Sequence, residues 1–181
     1  DVWELIQLAN LHPRVNILKP GPGVGGHCIA VDPWFIVDSA PEESKLISTA
    51  RLINDFKPEF VCKKIEQAAS KTLKINSELK ILSLGLSFKP NIDDLRESPA
   101  MTIAKQIESM GFKNSYICEP NIKELPKLFN ENKSELIMLN QVINDVDIVV
   151  VLVDHDEFKN LDLSFFDGKQ VVDTRGILEV Q

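Results

Sequence analysis

Cysteine is scarce in this sequence of 181 residues, which contains three cysteines and no CxxC pair. Their odd number and wide spacing argue against a disulfide framework and against a zinc site built from cysteine pairs. Long apolar runs are lacking too, since none approaches the roughly 18 residues that a membrane-spanning helix requires. The opening residues DVWELIQLAN do not have the basic and then apolar layout of a signal peptide. We therefore expect a cytoplasmic protein.

An excess of positive charge is also missing, because 27 acidic residues outnumber 20 basic residues and give a formal net charge of −7. Such a surface repels polyanions on average, which argues against general nucleic-acid binding but leaves room for a local basic pocket. Hydrophobic residues make up 44% and charged residues 26% of the chain, as in ordinary globular proteins. We therefore expect one or two compact units with a real core.

The first 75 residues predict a helical segment that is interrupted by one long loop. Residue 1 already lies within an apolar helical pattern, without an initiator methionine or a preceding cap, so we expect the chain to begin inside a helix over residues 1–11. Residues 13–37 carry four prolines and four glycines and are expected to be irregular. Apolar residues at helical spacing over residues 42–70 predict a long helix, which is either a domain spine or a dimer interface.

Residues 79–181 alternate between strand and helix patterns. This alternation predicts a doubly wound, Rossmann-like α/β domain, in which helices cover both faces of a parallel sheet. The expected strands cover residues 80–88, 115–120, 135–139, 147–155 and 170–174, and the expected helices cover residues 99–111, 122–129 and 140–146. Ligands of such sheets bind beyond the carboxyl ends of the strands, where the loop after the first strand lies.

The segment GPGVGG at residues 21–26 matches the dinucleotide pattern GxGxxG letter for letter. That pattern binds phosphate only between a strand and a helix N-terminus, whereas here prolines flank the glycines and HCIAVDP follows them. We therefore do not assign dinucleotide binding to this segment. Its glycines instead allow the backbone N–H groups to approach a ligand closely.

Cys28 follows the glycines directly and is the candidate nucleophile, because a partly exposed thiol in such a loop can react as a thiolate. Asp32, four residues later, could orient a water molecule or relay a proton. The local pattern also allows a small buried cysteine, which is the commoner case and the role that better suits Cys62 and Cys118. His27 is an unsuitable base for its immediate neighbour, and no zinc-binding spacing is present, so we expect no metal.

The second cluster of polar residues is FKPNIDDLRESP at residues 88–99, where Lys89 and Arg96 lie between a strand end and a helix start. Two cations near a helix N-terminus can form an anion site. Equally, the loop can be solvated, with Arg96 paired to Asp93 or Asp94. Arg175 follows the last strand and either joins the same pocket or is simply exposed.

Taken together, HPRVNILKPGPGVGGHCIAVDPWF, ARLINDFKP and GLSFKPNIDDLRESPA resemble the UDP-glucose/GDP-mannose dehydrogenase family along the whole chain. The resemblance implies that the C6 alcohol of a nucleotide-sugar is oxidised to a carboxylate while two NAD are reduced. The cysteine loop of the family's UDP-glucose dehydrogenases more often reads GFGGSC, with a lysine where this chain has Val31. The sequence looks closer to the members of the family that act on UDP-N-acetyl-D-mannosamine, so the resemblance implies this substrate, with UDP-glucose, UDP-N-acetylglucosamine and GDP-mannose as alternatives.

For the reaction, the resemblance implies that Cys28 attacks the aldehyde that forms first and gives a thiohemiacetal. A second hydride then passes to NAD as the thioester forms, and water releases the product. Asp32 would assist the water and the proton transfers. The uronate product would serve the synthesis of a cell-envelope polysaccharide.

For binding, the resemblance implies substrate contacts in both halves of the chain and one contact with NAD, from Arg96. The implied substrate-binding residues are His12, Arg14, Gly25, Phe88, Lys89 and Arg175. Arg14 would act in the pocket of a neighbouring subunit. The helix over residues 42–70 resembles the family's dimer spine, which implies a homodimer.

The family's N-terminal NAD-binding domain, with a true GxGxxG and the lysine and asparagine that stabilise the oxyanion, has no counterpart in this sequence. We expect it before residue 1. The chain alone would then bind a UDP-sugar weakly and catalyse nothing. A competing interpretation from another class of protein is a stand-alone nucleotide-binding or regulatory module.

Overall fold

The computed structural model describes residues 1–129, 133–141 and 145–178, which form a helical first part and a five-stranded sheet. The helices are α1 (Val2–Ala9), α2 (Asp32–Ser39), α3 (Lys45–Ser70), α4 (Pro99–Ile107) and α5 (Asp156–Lys159). The strands are β1 (Lys80–Leu84), β2 (Asn114–Cys118), β3 (Ser134–Leu136), β4 (Ile148–Val151) and β5 (Gln170–Asp173). Short 3₁₀ helices cover Asn76–Glu78, Leu139–Gln141 and Leu163–Phe166.

All the strands run parallel, in the order β3-β2-β1-β4-β5. The central strand β1 pairs with β2 on one side and with β4 on the other. The strand order therefore reverses between β1 and β4, and the crevice that such sheets offer to ligands opens at the carboxyl ends of these two strands. This arrangement confirms the expected doubly wound α/β fold.

The central strands are buried on both faces, as parallel strands are when other elements cover each side. One face packs against α3 and α4, through side chains such as Ile65 and Ile103. The other face packs against an aromatic cluster that includes Phe158 and Phe165. Because β4 is buried along its whole length, its sequence shows no alternation of apolar and polar residues.

The long helix α3 has one face in this core and an apolar stripe on its exposed side. It contacts α4, β4 and β5, and it continues without interruption through Pro58. The exposed stripe consists of Leu46, Ile53, Phe56 and Phe60. Among the described residues, no helix is both long and apolar enough to cross a membrane. The helix is therefore a spine for the sheet, and within the described residues it carries a partly exposed stripe of apolar side chains.

The first forty residues contain more regular structure than their prolines and glycines suggest. The expectation that residues 13–37 are irregular is wrong at its end, because α2 begins at Asp32 with Pro33 in its first turn, where proline is tolerated. The helix α1 ends at Ala9, and it does have a cap. The side chain of Asp1 accepts hydrogen bonds from the N–H groups of Trp3 and Glu4.

Three further expectations about the α/β domain need correction. No helix forms over residues 122–129, where Pro126 disfavours the helical conformation of the preceding residue. The helix expected over 140–146 is represented by the single turn Leu139–Gln141, and residues 142–144 lie outside the described part of the chain. The first strand ends at Leu84 rather than at residue 88, because Gly85 turns the chain with a φ of +94°.

Candidate active site

The glycine-rich loop packs against the turn that leads into α4. Gly25 is buried, and a Cβ atom added to it would collide with the carbonyl oxygen of Glu97. Gly26 has a φ of +93°, and an added Cβ atom would lie 2.8 Å from Cε2 of Phe88. The N–H of Gly26 donates a hydrogen bond to the carbonyl oxygen of Arg96 over 3.1 Å. These contacts bring together two motifs that are far apart in the sequence.

Asn54 of α3 holds the same loop through both backbone groups of Val24. Its Oδ1 accepts from the N–H of Val24 over 2.7 Å, and its Nδ2 donates to the carbonyl oxygen of Val24 over 3.1 Å. One side chain thereby satisfies a backbone donor and acceptor that no strand or helix pairs. The N–H groups of Val24 and Gly26 are thus bound within the protein, so the loop does not offer them to a phosphate as a dinucleotide fingerprint does.

Cys28 is exposed at the end of this loop, immediately before α2. Its carbonyl oxygen accepts hydrogen bonds from the N–H groups of Val31 and Asp32 over 2.9 and 2.8 Å, so a tight turn connects the thiol to the helix. Asp32 is exposed in the first turn of α2. The other two cysteines are buried as expected, and burial is the main cause that raises the pKa of Cys62 to about 11 and of Cys118 to about 12. Cys28 is therefore the accessible thiol.

Arg96 pairs with Asp94 close to Cys28. Its Nε and one terminal nitrogen donate to the two carboxylate oxygens over 3.0 and 2.6 Å, and these bonds lower the pKa of Asp94 to about 2. The hydrogen bond to Asp94 also raises the pKa of Arg96, and Cys28 adds a smaller electrostatic contribution. Of the two interpretations left open for Arg96, the structure shows the ion pair, although the Arg96 side chain remains 63% exposed.

His27 belongs to the same exposed cluster, where its Nδ1 lies 3.9 Å from a carboxylate oxygen of Asp94. That position orients the ring towards an acidic partner on the neighbouring loop. Within residues 1–129, 133–141 and 145–178, no group of three or more histidine, cysteine, aspartate or glutamate side chains is arranged to hold a metal ion.

Phe88, Lys89 and Arg175 line one cleft of about 20 Å³ at the carboxyl ends of β1 and β4. Arg175 donates from Nε to Asp154 over 2.8 Å and from a terminal nitrogen to the carbonyl oxygen of Pro20 over 3.2 Å. It therefore joins the cleft and also holds the start of the glycine-rich loop. Lys89 is exposed, with its Nζ 5.6 Å from the centre of the Phe88 ring, so its charge is available to an anionic ligand.

His12 and Arg14 lie on an exposed turn after α1. Asn10 closes this turn by hydrogen bonding with both backbone groups of Ile17, and the N–H of Arg14 donates to Nδ1 of His12 over 3.2 Å. In the described part of the chain, no side-chain hydrogen bond or ion pair joins either residue to the loop of Cys28. In the structure, these two predicted site residues therefore lie outside the cluster of Cys28, His27 and Arg96.

Four polar residues at this edge of the sheet are missing from the sequence prediction. Asp154 and His155 end the run DIVVVLVDH, and Glu119 follows β2. Polar side chains at the carboxyl ends of parallel strands are a signal that could have identified these three. Asn54 offers no such signal, because its partner Val24 is thirty residues away in the sequence.

Comparison with known proteins gives two family matches that together span most of the chain. Residues 1–56 match the central domain of the UDP-glucose/GDP-mannose dehydrogenase family, and residues 82–180 match the UDP-binding domain of that family. The UDP-N-acetyl-D-mannosamine dehydrogenase of Salmonella typhi is 52% identical over 181 residues, which are 98% of this chain and 43% of that protein. The chain therefore spans less than half the length of this relative.

Two further proteins are similar along nearly the whole chain. The NDP-N-acetyl-D-galactosaminuronic acid dehydrogenase of Ralstonia solanacearum is 51% identical over 177 residues, which cover 98% of this chain and 40% of that protein. The solved structure of a UDP-D-ManNAc dehydrogenase from Pyrococcus horikoshii is 34% identical, with a TM-score of 0.84 over 99% of this chain and 41% of that one.

The exposure of the three cysteines predicts selective labelling of one thiol. Iodoacetamide at neutral pH should add a single label to the native chain, at Cys28, and three labels after unfolding, because burial shields the other two thiols. Intact mass and peptide mapping measure both numbers. A Cys28→Ser variant should take up no label while native. Labelling of Cys62 or Cys118 before Cys28 would contradict the exposed position of the cysteine loop.

Proposed function

Because the chain belongs to the UDP-glucose/GDP-mannose dehydrogenase family, we propose that it supplies the sugar-nucleotide half of an NAD-dependent nucleotide-sugar 6-dehydrogenase. The observation that carries this proposal is the packing of the Cys28 loop against the loop of Phe88 and Arg96. It places an accessible thiol beside a cleft with two cationic side chains. The proposed arrangement of the chain is a helical segment over residues 1–75, followed by a UDP-sugar-binding domain over residues 79–181.

The proposed reaction converts the C6 alcohol of UDP-N-acetyl-D-mannosamine to the carboxylate in two oxidations. NAD, when bound, accepts the hydride in each of them. Between the two oxidations, the Cys28 thiolate adds to the aldehyde carbon to give a thiohemiacetal, and loss of hydride leaves a thioester. Water then cleaves the C–S bond, which releases the uronate and regenerates the thiol. Asp32, in the first turn of α2, assists the water and the proton transfers.

The cationic side chains have distinct proposed roles. Lys89 and Arg175, which lie beside Phe88 at the carboxyl ends of β1 and β4, supply positive charge towards the diphosphate of the UDP-sugar, and the Phe88 ring packs against the ligand. Arg96 is the described residue that fits NAD, since its exposed guanidinium can contact a phosphate while two of its donors bind Asp94. The remaining NAD contacts belong to the part of the relatives that this chain does not span.

The turn after α1 has a proposed role in a second subunit. His12 and Arg14 are exposed and lie outside the cluster of their own chain, so we propose that Arg14 contacts the substrate bound by a neighbouring copy. Gly25 has no side chain and can contribute only its backbone, and its close packing against the carbonyl oxygen of Glu97 leaves no room for a Cβ atom. The protein is proposed to act in the cytoplasm, and its uronate product is proposed to serve the synthesis of a cell-envelope polysaccharide.

The apolar stripe of α3 is the proposed surface of a homodimer. Leu46, Ile53, Phe56 and Phe60 follow one another at helical spacing on its exposed side. A stripe of this kind on a helix usually packs against another helix. A second copy offers the same stripe, and a twofold axis would pair the two.

The proposed activity predicts NADH formation by the longer protein that includes this chain and the NAD-binding domain of the relatives. UDP-N-acetyl-D-mannosamine should be oxidised with two NADH per uronate, measured by absorbance and by mass of the product. Cys28→Ser should lower uronate production at least about 1,000-fold, as removal of an enzyme nucleophile commonly does. Cys62→Ser is the matched control, because a hydroxyl can keep the hydrogen bond that Cys62 makes with Gln106.

The substrate panel for this experiment includes UDP-glucose, UDP-N-acetylglucosamine, GDP-mannose and UDP-N-acetylgalactosamine. The last sugar is included because of the Ralstonia relative, whose name specifies an N-acetylgalactosaminuronic acid. If the protein prefers another sugar, the proposed substrate is wrong but the proposed oxidation of the C6 alcohol stands. UDP binding without NADH formation from any sugar would favour a non-catalytic nucleotide-binding module. Full activity of Cys28→Ser would contradict the nucleophile.

The proposed dimer predicts that a charge in the apolar stripe separates the subunits. Phe56→Glu should raise the dimer dissociation constant about 30-fold or more, since burial of a phenylalanine stabilises an interface by about 2 kcal/mol. Sedimentation velocity over a range of concentrations measures this constant. Leu73→Glu is the control, because Leu73 is fully exposed outside α3. A parent chain that stays monomeric would contradict the proposed homodimer. A dimer whose dissociation constant is unchanged in the Phe56 variant would have its interface elsewhere.

A further inference from the structure

A buried pair of polar side chains lies directly beneath the loop that carries Phe88 and Lys89. Glu119 follows β2 and His155 follows β4, and the side chains of both are fully buried. Nε2 of His155 lies 3.0 Å from Oε2 of Glu119. Burial of a charged carboxylate is costly unless hydrogen bonds stabilise it, so the partners of this pair determine what it does.

The hydrogen bonds around His155 identify its tautomer. The backbone N–H of Asn91 donates to Nδ1 over 2.8 Å, so Nδ1 carries a lone pair. The ring proton is therefore on Nε2 and is donated to Glu119. A neutral imidazole thus connects the negative charge of Glu119 to the backbone of the loop at Asn91.

Glu119 binds the loop at a second place. Its Oε2 accepts from the N–H groups of Leu86 and Ser87 over 2.8 and 3.1 Å, and its Oε1 accepts from the N–H of Asn121 over 3.1 Å. Burial by itself raises the pKa of Glu119, but the hydrogen bond from His155 and those from the backbone outweigh it and lower this pKa to about 2. The carboxylate is therefore charged at neutral pH.

Two of the backbone N–H groups that Glu119 binds, those of Leu86 and Ser87, lie just after the end of β1. In doubly wound sheets, N–H groups just after the first strand commonly receive the phosphate of a nucleotide. Here an internal carboxylate takes that place. A nucleotide bound at this edge of the sheet must then be held by side chains further along the loop, among them the exposed Lys89.

Further hydrogen bonds fix the loop at Asn91. This residue has a φ of +63°, in the left-handed region that asparagine enters more readily than most residues with a side chain. Its N–H binds His155, and its side chain exchanges two hydrogen bonds with Asp156, to the carboxylate over 2.8 Å and from the N–H over 3.1 Å. Ser87 adds a hydrogen bond from its hydroxyl to the carbonyl oxygen of Lys89 over 2.7 Å.

We infer that Glu119 and His155 are positioning residues for the nucleotide-sugar, because they fix both ends of the segment 86–91 and so hold Phe88 and Lys89 in the orientation that binds UDP. This inference rests on the proposed function, which assigns UDP binding to Phe88 and Lys89. Neither member of the pair contacts the ligand itself. Their effect passes through the backbone of Leu86, Ser87 and Asn91.

The test compares two substitutions of His155, each of which keeps one of its two hydrogen bonds and loses the other. His155→Asn keeps the bond from the N–H of Asn91, because Oδ1 of asparagine can replace Nδ1 as the acceptor, and loses the bond to Glu119. His155→Gln keeps the bond to Glu119, because its amide nitrogen can replace Nε2 as the donor, and loses the bond from Asn91. Ile107→Val is the matched control for a loss of stability, because Ile107 is fully buried at the end of α4 that is remote from the loop.

UDP titrated into each chain should give the following result by calorimetry. His155→Gln weakens UDP binding about tenfold, while His155→Asn and Ile107→Val remain within about threefold of the parent chain. In the longer protein with its NAD-binding domain, His155→Gln raises the KM for the UDP-sugar by a similar factor and changes kcat less than twofold. The melting temperature of each variant is measured as well, because a general loss of stability would lower the UDP affinities in the order of these temperatures.

Amide hydrogen exchange of Asn91 provides a second measurement that needs no ligand. Its N–H should exchange slowly in the parent chain and in His155→Asn, and at least tenfold faster in His155→Gln. Equal UDP affinities for both variants, or affinities that follow thermal stability alone, would overturn the inference. If the longer protein fails to bind UDP, the proposed function is wrong instead, and the exchange of Asn91 still shows whether His155 holds the loop.

Discussion

The position of Cys28 depends on a steric constraint at Gly25 and Gly26. The loop lies so close to the entry of α4 that a side chain on Gly25 would collide with the carbonyl oxygen of Glu97, and one on Gly26 would press against the ring of Phe88. Only glycine allows this approach, and the positive φ of Gly26 requires it as well. The thiol, the ion pair of Arg96 and the cleft of Lys89 share one edge of the sheet because these two surfaces touch.

At the same edge of the sheet, charged side chains of the chain hold its loops in place by hydrogen bonds. Arg175 binds Asp154 and the carbonyl oxygen of Pro20, and thus holds the entry of the glycine-rich loop. Glu119 accepts the hydrogen bonds of the N–H groups after β1, where many nucleotide-binding domains bind a phosphate. The cations that remain exposed are on the loop rather than at the strand end. In this Rossmann-like fold, a nucleotide bound as proposed would therefore contact the loop after β1 rather than a glycine turn at the strand end.

The sequence predicts those features that depend on local pattern. The run DIVVVLV indicates a buried parallel strand, and Ser98-Pro99 indicates the start of α4, where the Ser98 hydroxyl does cap the helix. The helix α2 escapes prediction because Pro33 suggests a break, although proline in a first turn permits a helix. The contacts of Asn54 with Val24 and of His155 with Asn91 are tertiary. Their partners become visible only when the chain is folded, since nothing near either residue in the sequence specifies them.

Amide hydrogen exchange of Val24 and Gly26, measured by NMR on this chain, tests most directly whether the glycine-rich loop is fixed where the structure has it. Both N–H groups lie in a segment without regular secondary structure, yet they bind Asn54 and the carbonyl oxygen of Arg96. We predict protection of at least about a hundredfold at both positions, lost in Gly25→Ala while the amides of β1 stay protected. Exchange in the parent chain at the rate of an unfolded peptide would contradict the packing that brings Cys28 to the α/β domain.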